Sequence, residues 1–193
     1  LNPSLSLHDD GLLNGGMSSG SRDAEGVPRR RQVLVEKGRL SNMLWCTRDA
    51  AQQVAEGRIE EAFSTGSASS GGHQSPPSTG CTELFLTSSQ PSMTMEQLLE
   101  TMGDGYIVNS VMGAHTANPS SGDFSVTTSA ILKVKNGEII GALKQAGLSG
   151  NLAKSLKGKV ILGDDVRRQG SYSSGSMHLP DVLLMDGLRV NPA

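Results

Sequence analysis

Side chains able to do chemistry are few and scattered along this chain. The imidazoles are His8, His73, His115 and His178, and the thiols are Cys46 and Cys81. No two histidines stand four residues apart, so no helix face offers the paired nitrogens that hold a hydrolytic metal. The cysteines lie far apart without metal-ligand spacing and read as two buried thiols in a reducing cytoplasm. A serine nucleophile needs a tight Gly-x-Ser-x-Gly turn from strand to helix. Gly66-Ser67-Ala68-Ser69 and Gly170-Ser171-Tyr172-Ser173 are serine-rich loops without that turn.

Asp123 lies between Gly122 and Phe124, where a carboxylate accepts hydrogen bonds from turn amides; it reads as a turn lock. His178 occurs singly in a strand-like run and reads as a strand side chain. His73 falls in the Ser/Gly/Pro-rich stretch 64–80, which is expected to be a flexible loop. Arg29-Arg30-Arg31 is the tightest cationic cluster. Flanked by Pro28 and a strand-like run, it reads as a solvated strand start. With a net charge of −2 and no basic stripe, the chain is not expected to bind nucleic acid.

Hairpins must supply most of the scaffold. Gln32–Glu36 turns at Lys37-Gly38 into Arg39–Leu44. Ala130–Lys135 turns at Asn136-Gly137 into Glu138–Gly141, and Val182–Met185 turns at Asp186-Gly187 into Leu188–Val190. Asn-Gly and Asp-Gly provide the positive φ that a two-residue hairpin turn requires. Gly122, Gly150 and Gly163 are read as further turn punctuation.

Helices are expected at three places. One covers 47–56, capped by Thr47 and closed by Gly57; another covers 149–157. The clearest begins after Thr94, where Thr94 and Gln97 form a capping box and Met95, Leu98, Leu99 and Met102 share one face. These elements predict a mainly β (α+β) fold, with antiparallel hairpins in a curved or barrel-like sheet and two or three short helices. Aromatic residues make up only 3%, so the core must rest on aliphatic side chains and the 8 methionines.

Apolar runs such as Val182-Leu183-Leu184-Met185 are too short to cross a bilayer, and no export signal opens the chain; no membrane association is expected. The start at Leu1 reads as a piece of a longer protein.

Several short motifs, taken in order, resemble the TldD/PmbA family (its PmbA branch also called TldE). They are Asp9-Asp10-Gly11-Leu12, Asp23-Ala24-Glu25-Gly26-Val27-Pro28, Gly103-Asp104-Gly105-Tyr106, Ser121-Gly122-Asp123-Phe124-Ser125, Asn136-Gly137-Glu138-Ile139, Ser149-Gly150-Asn151-Leu152 and Gly163-Asp164-Asp165-Val166. The resemblance implies that residues 1–193 are a single C-terminal domain, with the family's N-terminal domain absent from this chain. It also implies a two-subunit zinc peptidase that admits unfolded peptides. In TldD-type members a helical His-Glu-x-x-x-His motif and a C-terminal-domain cysteine hold the zinc.

This sequence has neither feature. Where the cysteine is expected it reads Gly170-Ser171-Tyr172-Ser173-Ser174-Gly175, with Ser174 near the ligand position, and serine is a poor zinc ligand. The run Gly175-Ser176-Met177-His178-Leu179-Pro180 is similar to the TldE/PmbA ending. The resemblance therefore implies a non-metallated subunit. Zinc would belong to a TldD-like partner, the assembly would be a homo- or hetero-dimer, and His115, Asp123 and His178 would be candidate peptide contacts. Two alternatives stay open: an active metallopeptidase whose zinc helix lies upstream, and a non-enzymatic regulator of the DNA-gyrase-modulator type.

Overall fold

A computed structural model of the protein describes residues 1–170 and 175–192. Strand residues account for 45% of it and helix for 13%, so the chain is mainly β, with three α-helices and an antiparallel sheet curled into a half-barrel. The residues cluster in two compact units.

One unit comprises Leu5–Ser89 with Val166–Leu179. It contains β1 (Leu5–Asp10), β2 (Arg31–Glu36), β3 (Arg39–Leu40), α1 (Thr47–Ala55), β4 (Ala68–Ser69), β5 (Ser78–Thr79) and β6 (Glu83–Ser88). β1 pairs antiparallel with β2 on one side and with β6 on the other. The first expected hairpin is present: Lys37 and Gly38 have φ of 49° and 78°, the geometry for which the dipeptide was read. Its second strand is shorter than expected. Ser41 and Asn42 both donate their amides to the Leu34 carbonyl, which draws the chain off the ladder after Leu40.

The cap of α1 is Cys46 rather than Thr47. The Cys46 sulfur accepts the Asp49 amide at 3.5 Å, while the Thr47 hydroxyl is turned to the Glu25 carboxylate at 2.7 Å. In the Ser/Gly/Pro-rich stretch, Gly66, Ser67 and Ala68 are buried and β4 pairs with β5, leaving 70–76 exposed. Asp23 organises this region: its carboxylate accepts the Ala68, Glu25 and Val27 amides, each at 2.9 Å.

The other unit comprises Leu1–Ser4, Gln90–Asp165 and the chain from Pro180 on. It holds α2 (Met95–Met102), β7 (Gly105–Met112), a 3₁₀ turn at Ala114–Thr116, β8 (Asp123–Lys135), β9 (Glu138–Leu143), β10 (Ala146–Asn151) and α3 (Leu152–Ser155), and later β13 (Leu188–Pro192). β8 is the spine of a fully antiparallel five-stranded sheet of order β13-β10-β8-β7, with β9 also on β8. Val126 and Thr128 are buried on one face of β8, and Phe124 is half-buried. Asn136 and Gly137 have φ of 51° and 77°, confirming the second hairpin. α2 carries the full capping box, and Leu98 and Met102 pack with Ile161, Leu183 and Met93; Met95 is exposed, so the apolar face is narrower than read.

The third hairpin is not formed. β12 (Ser176–Leu184) and β13 belong to different sheets, and of the pair Asp186-Gly187 only Gly187 has a positive φ. Leu188 and Val190 pair instead with Gly150 and Leu148 of β10. Gly150 is therefore a strand residue, not a turn: a Cβ there would collide with the Gly187 carbonyl oxygen. Gly163, Asp164 and Asp165 likewise lie within β11 (Val160–Gly170). α3 is only one turn long because β10 continues to Asn151, whose side chain caps it at the Lys154 amide.

Residues of β11 and β12 are divided between the units, and the sheet to which they belong has the order β11-β12-β6-β1-β2-β3. Its one parallel ladder among the described pairs joins β12 to β6 through Ser176↔Glu83, Met177↔Leu84 and His178↔Phe85.

Candidate functional site

Three adjacent strands of the first unit, β1, β6 and β12, put three rings in one row. His8 faces Phe85 across the antiparallel pair and His178 faces it across the parallel pair. The rings stack, with His8 to Phe85 centroids 4.9 Å apart at 4° and Phe85 to His178 centroids 4.1 Å apart at 8°. Parallel stacking at this spacing is a cross-strand interaction in its own right.

Glu83 stands two residues before Phe85 and so shares its side of the strand. Its carboxylate is wholly buried. Oε2 lies 2.8 Å from His178 Nε2, and Oε1 accepts the Ser18 amide at 2.9 Å. Burial pushes the Glu83 carboxyl upward, but the Ser18 amide and His178 outweigh it and hold the group below the usual carboxylate range. The carboxylate is thus the acceptor, and the His178 Nε2 carries the proton of this bond.

On the opposite strand face Asp9, also buried, accepts the Thr82 and Glu83 backbone amides at 2.7 and 2.8 Å. Burial raises its pKa; those two hydrogen bonds only partly offset the effect. Arg31 donates to Asp10 through Nε at 3.0 Å. Arg29 donates to the Thr82 hydroxyl at 2.7 Å and to the Arg22 carbonyl at 3.2 Å. The arginine run is therefore a strand start, with two of its members bonded into the unit. A cleft of about 450 Å³ lies alongside, with Ser18, Arg22, Arg29, Ser69 and Cys81 in its lining. Burial, and then the Asp9 carboxylate, push the Cys81 thiol up, which keeps it protonated and unsuited to nucleophilic attack near neutrality.

The other expected site residues fall as follows. Asp123 is exposed and accepts Asn151 Nδ2 at 2.7 Å, while its own amide donates to Ser121 Oγ at 3.2 Å; the Asn151 bond, then Ser121, lower its pKa. It locks the start of β8 to the β10–α3 junction through the Asn151 side chain, where the sequence suggested turn amides as its donors. His115 is exposed in the 3₁₀ turn. His115 and Asp123 belong to one unit and His178 to the other. Ser174 lies outside the described residues.

His8 and Glu83 had no motif to announce them, and Asp9 stood out only as part of Asp9-Asp10-Gly11-Leu12, with no role attached. The available signal was Glu83 in an otherwise apolar strand run, in phase with Phe85. Zinc needs three or four converging donors. Among the described residues no group of three or more His, Cys, Asp and Glu side chains could hold a metal ion, and the His178 Nε2 is already committed to Glu83. The described donor set does not fit zinc. Among the described residues no helix is long and apolar enough to cross a membrane.

Residues 1–191 match the profile of the PmbA/TldA metallopeptidase C-terminal domain. An uncharacterized protein of Methanocaldococcus jannaschii is 32% identical over 90% of this chain and 38% of its own length. The metalloprotease PmbA of Escherichia coli is 26% identical over 92% of this chain and 35% of its own. Among solved structures, TldE from Thermococcus kodakarensis superposes with a TM-score of 0.79 at 21% identity, covering 98% of this chain and 40% of that one. A Thermotoga maritima protein described as a modulator of a DNA gyrase gives 0.77 at 29% identity, covering 98% and 39%. The chain thus spans between a third and two-fifths of the length of these relatives. With nearly every residue inside the matched profile, the chain belongs to the TldD/PmbA family and carries its C-terminal domain.

Proposed function

We propose that this chain is the C-terminal domain of a TldE/PmbA-like subunit, the non-metallated partner in a zinc peptidase complex that processes unfolded peptides. The observation that carries this reading is the His178–Glu83 pair. The one histidine near the end of the domain is bonded to a fully buried carboxylate and stacked on Phe85, and so has a structural duty in place of a metal. Ser174, near the position at which the resemblance implies a thiolate in TldD-type members, supports the same reading. Relatives named as metalloproteases support the peptidase context. The zinc would then be held by a TldD-like subunit, and the exposed His115 and Asp123 are the proposed peptide contacts, while His178 acts through the sheet.

The test is zinc content and cleavage of an unfolded peptide by the full-length protein, alone and mixed with a TldD-like subunit. The expected result is no stoichiometric zinc alone and cleavage only in the mixture. Stoichiometric zinc with cleavage by the protein alone would establish the active-peptidase alternative. Binding to gyrase, with no effect on cleavage in the mixture, would establish the regulator alternative.

A further inference from the structure

β9 is bonded to β8 along one edge and, among the described residues, pairs with no other strand. Glu138 through Ala142 are all exposed, and Ile139 and Ile140 show 50% and 54% of their surfaces to solvent. A register shift opposite Val134 leaves Ile140 without a counterpart on β8. An open edge bearing two adjacent isoleucines is a template for another strand. The charges that would blunt it sit only at its ends, Glu138 at the start and Lys144 just past Leu143.

The segment Glu138-Ile139-Ile140-Gly141-Ala142-Leu143-Lys144 is complementary to itself when laid antiparallel about Gly141. Glu138 then faces Lys144 of the other copy at both ends, Ile139 faces Leu143, and Ile140 faces Ala142. Gly141 faces itself. A parallel in-register pairing would instead set Glu138 against Glu138, which is destabilising. A Cβ built at Gly141 would meet nothing within 4 Å, so the face of the sheet is uncovered at the centre of the segment.

We propose that β9 is a self-recognition edge, pairing antiparallel with β9 of a second copy of this chain across a two-fold axis at Gly141. The interface is isologous, and the opposite charges at its two ends select the partner and set the register. It uses none of the residues on which the peptidase reading rests and stands independently of that reading.

Sedimentation of the full chain at roughly 10–500 µM, a range suited to an interface at the small end of the size scale, should show reversible dimerisation. E138K and K144E, each replacing two attractive pairs by two repulsive ones, should weaken it about tenfold. The double variant should restore it, and an equimolar mixture of the single variants should form heterodimers. Mild oxidation should link G141C to itself, because Cα atoms facing across an antiparallel pair are about 4.5–5.5 Å apart, within disulfide reach. A142C, displaced from the axis, should link poorly. A wild-type chain that stays monomeric, with Glu138 and Lys144 serving only to keep the edge solvated, would overturn the proposal. So would a dimer indifferent to both charge reversals, or equal cross-linking at 141 and 142.

Discussion

His178 Nε2 and Glu83 Oε2 lie 2.8 Å apart although 95 residues separate them in sequence, and the glutamate side chain has no exposed surface. The parallel ladder between β6 and β12 brings them together, and the Phe85 ring holds the imidazole flat at the correct height.

Removing the imidazole should leave the Glu83 carboxylate buried with the Ser18 amide as its remaining hydrogen-bond donor at that end. His178→Ala is expected to cost about 3 kcal/mol in urea unfolding, the range for breaking a buried polar pair and losing a stacked ring. His178→Gln keeps an N–H donor and should recover roughly 1 kcal/mol of that loss. Equal costs for the two variants would mean that stacking, not the hydrogen bond, supplies the stability.

Gly147 and Gly150 provide a controlled comparison within one strand. A Cβ at Gly150 would run into the Gly187 carbonyl and come 2.9 Å from Leu188 Cδ2, whereas one at Gly147 meets its nearest neighbour at 3.8 Å. Gly150→Ala should therefore cost roughly 1–3 kcal/mol and speed amide exchange in Leu188–Val190, the stretch that pairs with β10. Gly147→Ala should change stability by less than about 1 kcal/mol, because the lost chain entropy of the unfolded state offsets the mild crowding.

What the sequence could disclose was local. Lys37-Gly38 and Asn136-Gly137 encode their own backbone geometry, and Thr94 with Gln97 encodes a helix start, so those elements were legible. Asp186-Gly187 carries the same dipeptide signal but sits between strands of different sheets, because a turn residue says that the chain bends and not which strand it meets next. The site illustrates the same limit. The strand role of His178 was readable from its neighbours, while its partner Glu83 depends on a parallel register that no short-range pattern records. The turn at Asp123 was readable from Gly122 beside it, but its partner Asn151 was not, because the sequence placed Asn151 inside a helix over 149–157 whereas it ends β10 and caps α3.

Acid should unfold the protein through Glu83 and Asp10. For both, burial pushes the pKa up, but hydrogen bonds outweigh it: from Ser18 and His178 to Glu83, and from Arg31 and the Leu12 amide to Asp10. Each folded-state value lies below its unfolded one, so the unfolded chain takes up protons first. The stabilisation is present above the ordinary carboxylate values of 4.5 and 3.8 and is lost as the pH falls through the lower folded values. Melting temperature should therefore drop steeply below about pH 4. Arg31→Met, which takes away the guanidinium but keeps much of the aliphatic stem, should reduce the Asp10 share of that slope. A slope unchanged in Arg31→Met would assign the acid lability elsewhere.

Asp9 should behave in the opposite sense. Burial raises its pKa despite the Thr82 and Glu83 amides, so ionised Asp9 is a cost the folded chain carries at neutral pH. A raised carboxyl value contributes stability below the unfolded value of 3.8 and loses it as the pH rises through the folded value. Asparagine keeps an oxygen to accept both amides and carries no charge. Asp9→Asn should thus match or exceed wild-type stability at pH 7, and its advantage should vanish below about pH 3.5. Asp9→Ala leaves two backbone amides without their acceptor and should lose about 2–3 kcal/mol at either pH. Urea midpoints of the three proteins at pH 7 and pH 3.5 separate the cases. If Asp9→Asn were as damaging as Asp9→Ala at pH 7, the negative charge itself would be what those amides require, and the desolvation argument for Asp9 would fail.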